Sequence, residues 1–335
     1  MGNKTPETSN NLSKIDTRYR RSDGYGEISV ERALEALFGV DLPEAPSMGI
    51  EYGLDRTGAT EAWGAGLTGL GIVIAVLDTG VDIDHIDLDR NIWVNTGEIA
   101  GDGIDNDGNG YIDDVNGWDM NEGDNVTDDV DGHGTHVAGT IAAENNSLGT
   151  TGVAFNAKIM PVKVLGDDGS GSYDDVVEGI YYAVRNGADI INMSLGGGYY
   201  MYPPLAAAIK YASQQGVVVV MAAGNSGGDS PEVPASYASE HGIAVGSVGA
   251  DGSQSDFSNR AGGATDYEGD GRRRPLYVTA PGENIYSTLP NNYVGALSGT
   301  SMATPHVAAA VALLLEAHPG LTPKMIRILL ANTAD

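Results

Sequence analysis

The run GIVIAVL at residues 71–77 is apolar throughout and rich in β-branched side chains. A short run without polar alternation is typical of a strand that is covered on both faces of a parallel sheet. Helical patterns that end at glycine occur at residues 173–186 and 204–215. This alternation predicts an α/β fold, a doubly wound and mostly parallel sheet with helices on both faces. Similar apolar runs occur at residues 159–165, 189–193, 217–222, 243–248 and 276–280.

Polar side chains follow several of these runs, at the edge where doubly wound sheets bind their ligands. Asp78 comes directly after the first run, and Asn225 lies in a loop after a later one. Ser301 precedes an apolar helical pattern, where free N–H groups favour developing negative charge. His133 and His136 both lie at the start of an apparent helix, and periodicity does not choose between them. Together these residues offer a nucleophile, a base, an orienting acid and an oxyanion donor.

Composition narrows the classes of partner. The 335 residues carry a formal net charge of -28, which argues against nucleic acid and anionic membranes as partners. There is no cysteine, so thiolate metal sites and a cysteine nucleophile are excluded. No uninterrupted apolar run has the roughly 18 residues that a membrane span needs. The first 46 residues lack the basic and then apolar pattern of a secretory signal.

Five motifs together identify a family. In these segments, and in their order, the chain resembles the subtilisin-like serine proteases, or subtilases, from about Tyr52 onward. The resemblance implies a subtilisin-like fold and hydrolysis of peptide bonds through an acyl-enzyme. The matching segments are VLDTGVD at 76–82, DGHGTHVAGT at 131–140, SLGG at 194–197, AAGN at 222–225 and GTSMATPHVA at 299–308.

The resemblance also implies a role for each candidate catalytic residue. Ser301 corresponds to the nucleophile, His133 to the general base and Asp78 to the carboxylate that orients it. Asn225 corresponds to the side-chain donor of the oxyanion hole, and the backbone N–H of Ser301 to its second donor. His136 is left with a structural, hydrogen-bonded role. The alternatives are a catalytically idle, calcium-dependent peptide-binding homologue and a maturation protease dedicated to one partner.

The same resemblance locates a substrate cleft. The segment Ser194, Leu195 and Gly196 matches the strand that pairs with the peptide backbone and forms one wall of the S1 pocket. Glu232 falls on the opposite wall, where many relatives carry a small residue. A carboxylate there predicts a preference for lysine or arginine at P1. The alternative is that Glu232 faces solvent in a shifted loop.

Residues 105–113 predict a calcium loop. Oxygen donors stand at loop positions 1, 3, 5 and 9, with a backbone carbonyl at 7 and glycine at 6, as in an EF-hand loop. Position 12 is Asn116 instead of a bidentate glutamate, and Asp114 is a candidate substitute. A plain acidic turn is the alternative. The predicted ligands are Asp105, Asp107, Asn109, Tyr111 and Asp113.

A second calcium site follows from the resemblance alone, which makes two or more structural ions the expectation. Its side-chain ligands are Asp87 and Asn146. The family's N-terminal amide ligand aligns with Met48, which is not a ligand of this type, so the site is open, weaker or completed differently. Three carbonyl ligands are expected from Glu144, Leu148 and Thr150.

The chain is predicted to divide into an N-terminal extension, 1–46, and a subtilisin-like catalytic domain, 47–335. The polar residues up to about 27 predict a mobile tail, and residues 29–38 an amphipathic helix. The extension is interpreted as a remnant, a short inhibitory propeptide or an unrelated tail. The pair Arg20 and Arg21 suits self-cleavage if basic P1 residues are preferred.

The resemblance implies a monomer that acts on protein or peptide substrates outside the cell or in the periplasm. The lack of a signal pattern makes the cytoplasm the alternative location. Whether further domains follow Asp335 is left open.

Overall fold

A computed structural model of the protein describes residues 19–43, 51–239, 241–262 and 275–335. The predictions for Met48, for a domain start at residue 47 and for residues 1–18 lie outside these ranges. The doubly wound α/β fold is confirmed, with seven parallel strands in the order β2-β3-β1-β4-β5-β6-β7. The strands are β1 (Val73–Asp78), β2 (Trp118–Asp119), β3 (Lys158–Lys163), β4 (Ile190–Met193), β5 (Val218–Ala222), β6 (Ile243–Val248) and β7 (Tyr277–Pro281).

Helices cover both faces of the sheet, and β1 shows why its sequence is apolar throughout. Ile74 and Val76 enter one core with α1, α4, α7 and α8. Ala75 and Leu77 enter the other core with α5 and α6. The helices are α1 (Val30–Phe38), α2 (Tyr52–Thr57), α3 (Ala59–Gly64), α4 (His133–Ala142), α5 (Tyr173–Arg185), α6 (Pro203–Gln214), α7 (Thr300–Ala317) and α8 (Pro323–Thr333).

An antiparallel hairpin of β8 (Ile285–Leu289) and β9 (Tyr293–Leu297) lies outside the main sheet and was not predicted. Strand β9 is apolar in sequence but only partly buried, and with five residues its run is too short to be told from a loop by pattern alone. The available signal was the turn, because Asn291 and Asn292 both adopt positive φ.

Residues 19–28 are not the mobile tail that their polar composition predicts. Tyr25 N–H donates to the carbonyl of Tyr277 at 2.9 Å, and Ile28 N–H donates to that of Thr279 at 3.0 Å. In return, Thr279 N–H donates to the carbonyl of Gly26 at 2.8 Å. The segment therefore pairs with the edge strand β7 and satisfies backbone groups that an open edge exposes.

The predicted helix of the extension is present as α1. The Ser29 side chain accepts from Arg32 N–H at its start, and Gly39 ends it at φ 70°. Val30 and Leu34 are fully buried in the core that also contains α7. The described part of the predicted extension, residues 19–43, therefore packs against the core of the main sheet.

The Arg20 and Arg21 pair lies in a turn, not in an extended strand. Arg20 exchanges backbone hydrogen bonds with Gly24, and the Arg21 carbonyl accepts from Gly262 N–H at 3.0 Å. The self-cleavage predicted from the resemblance would therefore require this turn to open, because a peptide that adds to a sheet edge is extended.

Within the described ranges, one helix is long and apolar enough to cross a bilayer. It is α7, and 83% of the qualifying window is buried inside the protein. A buried core helix passes the same test of length and hydropathy, so this finding is weak evidence for a membrane span.

We expect the packing of the N-terminal segment to be measurable as stability. A Cβ at Gly26 lies 1.6 Å from the carbonyl oxygen of Asp335, whereas one at Gly39 meets nothing within 4 Å. Both glycines have positive φ, so each alanine variant carries a backbone cost of about 1–2 kcal/mol. Gly26→Ala adds the clash with Asp335. Measured in a Ser301→Ala background, it should lower the urea concentration at the unfolding midpoint clearly more than Gly39→Ala does. Equal midpoints would contradict the packing.

Candidate active site

Asp78 and His133 form the centre of the site. Asp78 is the last residue of β1 and is fully buried, while His133 is the first residue of α4 and its side chain is 27% exposed. The Nδ1 atom of His133 lies 2.7 Å from Oδ1 of Asp78, which also accepts from Thr79 N–H at 2.8 Å. With Nδ1–H donated to the carboxylate, Nε2 is the nitrogen available to accept a proton.

Two features of the local sequence bring α4 close to the end of β1. A Cβ at Gly134 lies 2.0 Å from the carbonyl oxygen of Gly80, so a larger residue would separate the two elements. The buried carboxylate of Asp129 accepts from the Thr79 hydroxyl at 2.9 Å and from Thr135 N–H at 2.8 Å. It thus links the loop after β1 to the first turn of α4. Sequence reasoning missed Asp129, which stands within an acidic run.

Ser301 lies in the first turn of α7, as predicted. Its hydroxyl donates to the carbonyl of Ser194 at 3.0 Å instead of bonding to His133. The Ser194 hydroxyl in turn donates to the Ser301 carbonyl at 2.8 Å. Catalytic hydrogen bonds are often formed only once substrate is bound, so this arrangement is compatible with a nucleophile.

Asn225 is oriented by its neighbours in the way an oxyanion donor requires. Its Oδ1 accepts from the N–H of Thr300 at 2.8 Å and from the Thr300 hydroxyl at 3.0 Å. The amide nitrogen is therefore left for the cleft. The Cβ position of Gly299 lies 3.5 Å from Nδ2 of Asn225 and 3.6 Å from the backbone nitrogen of Ser301. Both predicted donors are thus close to one point.

These residues share one cleft. A cavity of about 540 Å³ is lined by His133, Asn225 and Ser301, together with the predicted substrate strand at Ser194, Leu195 and Gly196. A second cavity of about 290 Å³ continues from Ser301 along Asn225 and Gly196 to Glu232. The predicted catalytic and substrate-binding residues therefore lie together at the carboxyl edge of the sheet.

Glu232 lies in the second cavity, not in a loop turned to solvent. Its Oε1 accepts from the Ser226 hydroxyl at 2.6 Å and from Nδ2 of Asn259 at 3.2 Å. The side chain is half-buried between the segment at Gly196 and the loop at Gly224. A carboxylate therefore forms part of this pocket.

Comparison with known proteins agrees with this geometry, because the subtilase family model matches residues 69–335. The chain belongs to the subtilase family. The major intracellular serine protease of Bacillus subtilis (strain 168) is 42% identical over 279 residues, covering 82% of this chain and 76% of that protein. Subtilisin Savinase of Lederbergia lenta is 39% identical over 285 residues, covering 85% and 91%.

A solved structure shows the same likeness. The crystal structure of a cold adapted subtilisin-like serine proteinase has a TM-score of 0.61 and 34% sequence identity to this chain. The matched region covers 78% of this chain and 81% of the chain in that structure. Together with the family match, this makes the protein a serine protease of the subtilase fold.

The two histidines of α4 differ in electrostatics in this subtilase. Burial lowers the pKa of His133, but the charge of Asp78 and its hydrogen bond raise it, for a net pKa of about 9. Burial lowers the pKa of His136 to about 4, and its Nε2–H donates to the carbonyl of Ile285 at 2.9 Å. His136 is therefore a neutral structural residue, and His133 is the one coupled to a carboxylate.

The predicted calcium loop at residues 105–113 brings three carboxylates together, and this group includes Glu98 but not the predicted Asp113. Oxygens of Glu98, Asp105 and Asp107 lie within 4.8 Å of one another. Asp113 lies outside this group, and its carboxylate accepts from the N–H groups of Gly101 and Gly103 at 2.8 and 3.0 Å. Glu98 and Asp105 also accept from backbone N–H groups, which hold their carboxylates in the loop. Glu98 precedes the loop by seven residues, so the EF-hand spacing gave no signal for it.

Asp114, the candidate ligand for loop position 12, binds neighbouring side chains instead. It is fully buried, and its carboxylate accepts from the Tyr182 hydroxyl at 2.6 Å and from Nδ2 of Asn95 at 2.8 Å. These contacts anchor the loop to α5. The side chains of the predicted ligands Asn109 and Tyr111 also support the loop, because Tyr111 N–H donates to Oδ1 of Asn109 and the Tyr111 ring packs against Tyr182.

The second predicted calcium site is built around Asp87. One oxygen, Oδ2, accepts from Thr150 N–H at 3.0 Å, while Oδ1 is buried and has no hydrogen-bond partner among the described residues. Burial raises the pKa of the Asp87 carboxyl despite the hydrogen bond from Thr150 N–H. A buried carboxylate oxygen without a donor fits a cation, and the residues present are therefore compatible with calcium.

The raised pKa of His133 predicts the pH dependence of catalysis. Because only the neutral imidazole accepts a proton, kcat/KM should increase as the pH rises through about 9. In Asp78→Asn the charge that favours the imidazolium is removed, so the profile should move to lower pH and kcat should fall about 10⁴-fold. Rates on a chromogenic peptide across the pH range test this. The exposed Asp41→Asn is the control and should keep both the profile and the turnover of the wild type; an unshifted Asp78→Asn profile would contradict the assignment.

Proposed function

We propose that this subtilase is a calcium-stabilised serine endopeptidase that cleaves protein and peptide chains after basic residues. The observation that carries the proposal is the hydrogen bond between Asp78 and His133 beside a cleft that contains Ser301. An idle peptide-binding homologue would not need a base coupled to a carboxylate or two oxyanion donors close to one point.

The proposed reaction uses these groups in turn. Substrate pairs with the strand at Ser194, Leu195 and Gly196, and rotation of the Ser301 side chain moves its hydroxyl from the Ser194 carbonyl to Nε2 of His133. As Ser301 Oγ attacks the scissile carbonyl, His133 takes its proton, and the Asp78 carboxylate stabilises the imidazolium. Asn225 Nδ2 and Ser301 N–H stabilise the oxyanion. His133 then protonates the leaving amine, and water hydrolyses the acyl-enzyme in the same way.

The proposed preference for basic P1 residues rests on Glu232. Its carboxylate lines the cavity that continues from Ser301, where a P1 side chain would lie. A charged hydrogen bond in such a partly desolvated pocket is worth about 1.5–3 kcal/mol. The net charge of -28 also favours the approach of basic peptides and disfavours nucleic acid. One chain carries every group of the site, so we infer that the monomer is active.

Two relatives bear on the location of the protein. The relative from Bacillus subtilis is named as an intracellular protease. The name of Subtilisin Savinase specifies no location. Both the cytoplasm and the exterior are compatible with these similarities.

A digest of peptides that differ only at P1 tests the activity and the preference together. Wild-type protein should cleave after Lys and Arg more efficiently than after Phe or Gln. Glu232→Gln should reduce the ratio of basic to neutral cleavage by about 10- to 100-fold, because the ion pair is lost while the shape is kept. Ser301→Ala should not cleave. Wild-type protein as inactive as Ser301→Ala would refute the endopeptidase; equal rates for Phe and Arg would refute only the preference.

The calcium proposal rests on two groups of oxygens. The first is the cluster of Glu98, Asp105 and Asp107, and the second is Asp87 with its unpartnered buried oxygen. Carboxylate and carbonyl oxygens are the ligands that calcium prefers, and both groups lie in loops. Bound ions would hold these loops and shield the repulsion among their carboxylates. At the second site the carbonyls of Glu144, Leu148 and Thr150 would complete the ligand set with Asn146.

Removal of calcium should therefore destabilise the fold. In a Ser301→Ala background, excess chelator should lower the melting temperature, and calcium but not magnesium should restore it. Each site contributes about 3 kcal/mol when free calcium is a hundredfold above its Kd. Asp87→Asn and Asp105→Asn should each reduce the effect, whereas the exposed Asp41→Asn should leave it intact. A melting temperature that chelator does not change would refute both sites.

A further inference from the structure

The two oxygens of the Glu232 carboxylate have different environments. Oε1 accepts two hydrogen bonds, from the Ser226 hydroxyl at 2.6 Å and from Nδ2 of Asn259 at 3.2 Å. Oε2 accepts none from the residues that the structure describes. Its position is set by the pocket walls, since it lies 2.9 Å from the Cβ position of Gly224 and 3.7 Å from that of Gly196. One oxygen is thus occupied, and the other faces the P1 pocket.

The groups that occupy Oε1 are themselves fixed. Asn259 is fully buried, and its Nδ2 also donates to the carbonyl of Ala223 at 3.0 Å. Its Oδ1 accepts from the N–H of Ser226 at 3.2 Å and from the N–H of Gly228 at 2.7 Å, and the Ser226 hydroxyl lies 3.0 Å from the same oxygen. The single hydroxyl proton is donated to the nearer acceptor, Oε1 of Glu232 at 2.6 Å. Asn259 therefore ties Glu232 to the loop that carries Asn225. A carboxylate held in this way does not rotate freely to meet a substrate.

Lysine and arginine differ in what they require from a carboxylate. The guanidinium is a planar fork that binds best when both carboxylate oxygens accept parallel hydrogen bonds. The ammonium of lysine is a compact charge that is satisfied by a single oxygen and by other acceptors or water around it. A carboxylate with only one free oxygen therefore loses more of its interaction with arginine than with lysine.

From this asymmetry we propose that Ser226 and Asn259 position Glu232 as a single-oxygen acceptor, which makes the S1 pocket selective for lysine over arginine at P1. The inference deepens the proposed basic preference and rests on it. Glu232 supplies the charge, and Ser226 and Asn259 set the geometry. Ser226 is a positioning residue here, because it acts on the substrate through Glu232.

Ser226 would have the opposite effect on selectivity if its oxygen helped to bind arginine. Its oxygen keeps lone pairs, and an arginine that spanned Oε2 and the Ser226 oxygen would gain from the serine. Ser226→Ala separates the two cases: loss of the hydroxyl frees one position on Oε1 and favours arginine if the serine blocks the fork, but weakens arginine if the serine assists it.

The test uses two peptides identical except for Lys or Arg at P1, with kcat/KM measured for the full chain. Wild-type protein should favour Lys by about 3- to 10-fold. Ser226→Ala should shift the Lys:Arg ratio towards or below one, chiefly through faster cleavage after Arg. Because Ser226 adjoins Asn225, a general change in kcat is expected in this variant, but it affects both peptides and cancels in the ratio. Ser226→Thr keeps a hydroxyl and should restore the preference for lysine.

Ser230→Ala is the matched control, since Ser230 lies in the same loop and has no hydrogen bond to Glu232 among the described contacts; its ratio should equal that of the wild type. The proposal is refuted if wild-type protein favours Arg or treats both alike, or if Ser226→Ala leaves the ratio unchanged or slows Arg selectively. If Glu232→Gln leaves the ratio of basic to neutral cleavage unchanged, the basic preference itself is wrong. If Glu232→Gln removes the preference for basic residues but the wild-type protein cleaves after Lys and Arg equally well, only the single-oxygen geometry is wrong.

Discussion

The close approach of α4 to the end of β1 is the constraint on which the site depends. Asp78 is fixed by a strand buried on both faces, and His133 reaches it only because Gly134 lets the helix come close to the chain after β1. Asp129 joins the two elements through buried hydrogen bonds. The pair is thus positioned by backbone packing before any substrate arrives. In such a preorganised site little reorganisation is needed when charge develops during the reaction.

Much of the fold and the site was predictable because the signals were local. Strands buried on both faces carry uninterrupted apolar runs, and the carboxyl ends of parallel strands meet at one edge, so Asp78 and Asn225 had to lie near each other. Ser301 was marked by the helix that follows it. The choice of His133 over His136 was not local, because both occupy one turn of α4; it came from family resemblance, and the structure shows its physical basis in the carboxylate beside His133.

The parts that sequence patterns missed depend on contacts between distant segments. The N-terminal segment is polar, and it packs because its backbone pairs with β7, a property that composition does not record. Glu98 joins the carboxylates of the 105–113 loop from outside the motif, and Asp113 leaves them to accept from nearby backbone N–H groups. Asp129 was hidden among acidic neighbours. In each case the residue type was visible, but its partner was set by the tertiary fold.

Electrostatics acts at two ranges in this protein. The net charge of -28 creates a field over the whole surface, which salt screens over about 8–10 Å and which affects mainly how fast a basic peptide arrives. The Glu232 carboxylate lines a pocket and, as proposed, would act on a P1 side chain at contact distance, where screening is weak and geometry decides the energy. A general attraction for cations does not distinguish lysine from arginine, since both carry one charge. In the proposed pocket, discrimination between them would come from the hydrogen-bond directions that Ser226 and Asn259 leave open on Glu232.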